Sequence, residues 1–175
     1  KTLLLLLAGL LPLFPVLDTT GSTGAEFLKI TGSARSVALG GGYAALDDVN
    51  NMSVNPAMIG YGKQFSVGLN LLSFFQGVTY IGLNASFNHQ TLGGLSLGLI
   101  YLDSGEIPLT ADTFTASGSV AKRDFAIIGG YGRSLGPLLK LPALDGVYVG
   151  LDGRYFGESF GTGADALGGM LFDFG

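Results

Sequence analysis

The residues able to do chemistry are few, and most lie early in the chain. Residues 40 to 57 read GGGYAALDDVNNMSVNPA: three glycines, Tyr43, the adjacent carboxylates Asp47 and Asp48, and then Asn55-Pro56-Ala57. Gly40, Gly41 and Gly42 suggest a loop that cradles phosphate. Such a loop needs a Lys-Ser/Thr pair behind the glycines and a strand ahead of them, and the sequence offers neither. Close packing of this segment against a wall explains the glycines better. Paired carboxylates can share a proton or hold calcium, but adjacent side chains diverge and the spaced Asp-x-Asp-x-Asp-Gly pattern is absent. Asp47 and Asp48 are therefore expected to serve turns and caps. Asn55 can bond the backbone just beyond it while Pro56 fixes φ, which makes a rigid turn. His89, the single histidine, falls in NHQT at a hairpin tip, a poor platform for a Ser-His-Asp triad. The absence of cysteine removes thiolate nucleophiles, thiolate metal sites and disulfides. No catalytic residue, metal or cofactor is expected.

Composition limits the elements that could position these residues. Only 13% of the 175 residues are charged, 30 are glycine, and the mean hydropathy is +0.47. Ordinary soluble surfaces carry more charge than this. A net charge of −4, a pI near 4.7 and nine scattered Lys and Arg oppose nucleic acid as a partner. A membrane-spanning helix needs an apolar run of about 18 residues or more. The N-terminal run from Leu3 to Leu11, between Lys1 and Pro12, has instead the length of a signal-peptide core. Residues 1–17 are expected to be a partial export signal.

From Gln64 onward the pattern has period two. In QFSVGLNLL, GVTYIGLNASF, LSLGLIYLD, RDFAIIGGYGRSLG, VYVGLDGRYF and ADALGGMLFDFG, large apolar residues alternate with Gly, Ser, Asn and an occasional charge. Val149, Leu151 and Tyr155 thus oppose Gly150, Asp152 and Arg154. A soluble sandwich would place Lys, Glu and Thr on its outer face; small polar residues suit the lumen of a membrane barrel. The fold class expected is all-β: an antiparallel transmembrane β-barrel spanning residues 64–175. Barrels need about eight strands at least, so six runs predict a chain that is only part of one. Residues 18–63 lack alternation and are expected to form an irregular, partly helical N-terminal hatch. Arg35, Arg133 and Arg154 are the candidate partners of Asp47 and Asp48, and with Asp152 the candidate lumen charges.

The run GAEFLKI…SARSVALGGGYAALDD…NPA, from Gly24 to Ala57, resembles the start of the PorV/PorQ family of FadL-like outer-membrane barrels. The resemblance rests on Gly24, Ala25, Phe27 to Ile30, Ala34, Arg35, Gly40, Gly41, Tyr43, Ala45 to Asp48, and Asn55 to Ala57. Downstream, YLDSGEI, FTASGSV and VGLDGRYFGES look like that family's successive strands. It departs from the pattern in lacking a second Ala before the aspartates and in having Met58 where Gly is usual. The resemblance implies a bacterial outer-membrane location, a hatch inside the barrel and roughly twice as many strands as fit here. It also implies one of two roles: transport of hydrophobic small molecules, or, in type IX secretion, binding and passing on exported proteins. A soluble exported β-domain that binds lipid is the alternative outside the family, and a hydrolase comes last.

Overall fold

The computed structural model describes residues 25–40, 48–51, 54–89, 91–112, 115–161 and 165–175. Six antiparallel strands form one sheet in sequence order: β1 (Phe65–Ser73), β2 (Thr79–His89), β3 (Gly93–Asp112), β4 (Thr115–Ser134), β5 (Tyr148–Phe160) and β6 (Asp165–Phe174). Each strand is one of the alternating runs. The sheet is open, because β1 and β6 are its two outer strands and do not pair with each other. All-β is therefore the architecture, and closure into a barrel is not seen among the described residues. No helix of the described residues is long and apolar enough to cross a membrane.

The pleat sorts the side chains onto two faces. On one face, cross-strand register lines up Phe65, Phe87, Leu95, Tyr131, Leu151 and Phe174 in a single row. Two rows further along stand Leu69, Leu83, Leu99, Ile127, Tyr155 and Met170. All twelve of these side chains are solvent-exposed. The band ends abruptly at the row Ser73, Thr79, Asp103, Arg123 and Ser159. The opposite face carries Asn70, Asn84, Ser86, Asn88, Ser96, Asp124, Asp152, Arg154 and Glu158, and the N-terminal segment lies against it. That segment contains two short helices, α1 (Ala34–Ala38) and α2 (Ala57–Tyr61), and a 3-10 turn at Glu26–Lys29. A third helix, α3 (Leu135–Leu139), opens the connection between β4 and β5.

Two cores hold the segment down. Phe27 is buried with Tyr80, Ile100, Leu102, Ala126 and Ile128. Ile59, the largest fully buried side chain among the described residues, points from α2 onto Gly94, Gly130 and Gly132 at the other end. Strands β3 and β4 run 20 residues each, well past the alternation seen in the sequence. They tolerate Gly105 and Pro108 because the register shifts between Asp103 and Glu106. At this bulge Gly105 takes φ 67°, and its N–H donates to Asp103 Oδ1 at 2.9 Å. A side chain in that left-handed region costs about 1–2 kcal/mol. Gly105→Ala should lower stability by that amount in equilibrium unfolding. An unchanged midpoint would mean that the bulge relaxes without strain.

Candidate functional site

The site is a seat for the N-terminal segment, made by one row of the sheet. Register places Asn88, Gly94, Gly132 and Gly150 side by side, and Gly150 exchanges two backbone hydrogen bonds of 3.1 Å with Gly175. One asparagine followed by four glycines makes a trough without side chains. Helix α2 lies in it with backbone against backbone. A Cβ on Gly132 would sit 2.6 Å from Gly60 N and 2.7 Å from Pro56 O. One on Gly150 would strike the Pro56 carbonyl, and one on Gly94 the carbonyl of Ile59. Sequence alternation places Gly150 on the lumen side, where a side chain is expected to be mild unless it collides with the plug. The approach of Pro56 is such a collision.

The entry to α2 is fixed by Asn55, whose Oδ1 accepts the N–H of Ala57 at 3.2 Å, with Pro56 and Ala57 buried behind it. The exit is fixed by Asn88. Its Nδ2 lies 3.0 Å from Ile59 O, 2.7 Å from Gly60 O and 3.1 Å from Gly62 O. A helix end leaves carbonyls without intrahelical partners, and here a side chain of the sheet serves three of them. Earlier in the segment, Asn50 Oδ1 accepts from Asn70 Nδ2 at 2.8 Å and Asn84 Nδ2 at 3.2 Å. At the far end Ala25 N donates to Glu158 Oε1.

Charges on this face are paired. Arg154 Nε donates to Asp152 Oδ1 at 2.8 Å, and its Nη2 donates to Asp152 Oδ2 and Asp173 Oδ2, both at 3.0 Å. A planar guanidinium matched to a carboxylate in this forked way is a strong, oriented contact. Lys122 Nζ lies 3.1 Å from Asp124 Oδ2 and 3.4 Å from Glu158 Oε2. Glu158 therefore joins a lysine to the backbone of the N-terminal segment.

The residues singled out in the sequence are distributed as follows. Asn55, Pro56 and Ala57 are in the seat, and Asp152 and Arg154 are on the same face of the sheet. Asp48 accepts from Asn50 N at 2.9 Å and Ser33 Oγ at 3.3 Å, a turn role. Gly40 meets no wall: it has φ 64°, open space around it, and ends α1. Its glycine answers to backbone conformation, not to close packing. Gly41, Gly42, Tyr43 and Asp47 lie outside the described residues. Arg35 is exposed on α1. Arg133, expected among the lumen charges, is half-buried at the rim and pairs with Val149 in the parity of Tyr131 and Leu151, on the apolar face. His89 is exposed at the end of β2 with Thr91 Oγ1 2.9 Å from its Nδ1, and no cluster of His, Asp or Glu among the described residues could hold a metal. Sequence reasoning missed Asn88 and the glycine row, whose members come from β3, β4, β5 and the residue after β6.

The seat can be tested because the chain has no cysteine. An Ile59→Cys reporter should react slowly with a polar maleimide while α2 is seated. Adding Gly132→Val or Asn88→Ala should raise that rate about tenfold, as loss of buried contacts or hydrogen bonds worth about 1–3 kcal/mol implies. Equal rates in all three proteins would mean that α2 is not held by this row.

Comparison of the chain with family models, curated proteins and solved structures gives no match, so the functional reading stands on this geometry.

Proposed function

We propose that this chain forms part of the wall of an outer-membrane β-barrel, with residues 18–63 as a plug on its inner face. In this reading the barrel passes hydrophobic compounds across the membrane. One observation carries it: the continuous exposed apolar face of the sheet. Twenty large apolar side chains from all six strands stand there, each between 36% and 80% exposed. Their combined area is on the order of 10³ Å², against the few hundred Å² that a soluble monomer tolerates in one patch. The polar rows at His89 and Thr79 bound the band along β2, ten residues apart by sequence number. That distance is about 33 Å along the strand and about 25 Å after a tilt near 40°, the height of a barrel's lipid-facing belt. The outer strands β1 and β6 leave backbone groups for further strands to pair, which a bilayer requires.

Between the paired charges of Arg154 and the apolar cluster around Phe27, the inner face holds a cavity of about 250 Å³. Leu28, Ile30, Tyr80 and Ile100 line it together with Asn50, Asn70, Asn84 and Asp173, so its surface is mostly polar. The transport role is therefore carried over from the family resemblance and not from this cavity.

Depth distinguishes this reading from a soluble lipid-binding domain. Leu99 is at mid-belt and Thr79 at its edge, on the same face. Leu99→Arg should cost about 2–4 kcal/mol and Thr79→Arg about 0–1 kcal/mol when folding into lipid vesicles is titrated with urea. Two equal, small costs would sink the membrane assignment. The plug makes its own prediction: Asn55→Ala with Pro56→Ala should leave a heat-modifiable band on gels but change uptake of a hydrophobic dye or leak small solutes. Normal uptake together with a sealed barrel would remove the plug from the pathway.

A further inference from the structure

Among the described residues, Arg133 lines two cavities of different character. On the inner side, at the rim, is a cavity of about 720 Å³, polar and apolar in about equal parts, that includes Gln64, Asn88, His89, Asp145 and Tyr148. On the outer face is an apolar groove of about 290 Å³ lined by Tyr131, Leu138, Val149, Leu151 and Phe174. Arg133 pairs with Val149 across the strands, one row outside the aromatic row of Phe65, Phe87, Tyr131 and Phe174. Among the described residues no ion pair joins it to a carboxylate, Asp145 included. Arg123, at the opposite edge of the band, is by contrast 3.5 Å from Asp103.

We propose that this groove is a phospholipid site, with an acyl chain along Leu138, Val149 and Phe174 and the phosphate on Arg133. The inference rests on the lipid-facing reading of the outer face. Its own argument is the coincidence of shape and charge. The groove is almost wholly apolar, and Arg133 is the one charged residue of its lining. Arg133 belongs to the row where the apolar band gives way to polar residues, the level at which headgroups lie and aromatic side chains gather. A planar fork of donors suits phosphate oxygens better than a single amine does. Helix α3 supplies Leu138 as the groove's lower wall, which gives the connection between β4 and β5 a task beyond joining strands. The larger rim cavity that Arg133 also lines leaves room for the remainder of the headgroup.

The test uses the protein purified in detergent, delipidated and then offered phosphatidylglycerol, oleate or inorganic phosphate, with bound lipid counted by native mass spectrometry. Phosphatidylglycerol should remain bound to the parent protein. Arg133→Gln should weaken it about tenfold, the effect of losing one charge-assisted hydrogen bond. Arg133→Lys should restore part of the binding, and Arg123→Gln should leave it unchanged. Leu138→Gln reads the same groove should the Arg133 variants fail to fold. Retention of phosphatidylglycerol by Arg133→Gln and Leu138→Gln at the parent level overturns the site. So does binding of oleate in its place, or binding of inorganic phosphate alone. Insertion into vesicles, followed separately by heat-modifiability, keeps the two readings apart: insertion without Arg133-dependent lipid overturns this site only, and failure to insert overturns both.

Discussion

The contact on which the rest of the structure depends is the approach of α2 to a row of the sheet made of glycines. Two backbones can come this close only where one of them is glycine for several strands in succession, and the row from Gly94 through Gly132 and Gly150 to Gly175 provides that. Close approach creates a second requirement. Polar backbone groups of an irregular segment lose water when they are pressed onto a sheet, and each must find a partner. Asn88 meets the requirement at the exit of α2, and the Asn55 side chain meets it at the entry. Asn50 extends the same solution, since Asn70 and Asn84 donate to it from β1 and β2. Asparagine suits these positions because it is short and has both donors and acceptors.

The two faces of the sheet follow from the pleat, and they divide the chemistry between them. The outer face is apolar because its alternate residues are Leu, Ile, Val, Phe, Tyr or Met, with Ala85, Gly129 and Gly153 between them. The inner face then collects nearly every charge that the strands carry within the band. Buried charges persist only when paired, and both groups here are: Arg154 with two aspartates, and Lys122 with Asp124 and Glu158. Glu158 has the further task of accepting from Ala25. It holds the start of the described segment by a charge-assisted bond, while α2 is held by contact.

The strands and their faces were legible because a period of two leaves a direct trace in sequence. Val149 and Leu151 against Asp152 and Arg154 could be sorted by parity alone. The extent of β3 and β4 was not, since Gly105 and Pro108 read as strand ends and the bulge that absorbs them is a property of the pair. The glycine row was hidden for a related reason. Gly94, Gly132 and Gly150 are each an ordinary strand glycine in its own segment, and only register places them side by side. Asn88 was equally hidden beside His89 at a presumed tip, because its three acceptors are 26 to 29 residues earlier in the chain. The signal available was parity: Asn88, Gly94, Gly132 and Gly150 all fall on the inner face near the same strand ends. Gly40 shows the opposite case, where a glycine run suggested packing and one member serves only to stop a helix.

The positions of the two anchors explain how one short segment can cover the inner face. Glu158 and Gly150 are both on β5, eight residues apart by number, which is about 26 Å of strand. The segment is pinned near one end of the band by Glu158 and near the other by the glycine row, with Asn50 bonded between them. The anchors differ in kind. Backbone packing in the trough is rigid and fails all at once when a side chain intrudes, since close-packed interfaces do not yield gradually. The bond from Ala25 to Glu158 depends on a carboxylate that Lys122 also claims, so its strength varies with how that charge is shared. On these grounds a segment fastened in this way is expected to loosen at the Ala25 end only if the core around Phe27 opens with it. Opening there would uncover the apolar side chains of that core while the glycine trough stayed filled.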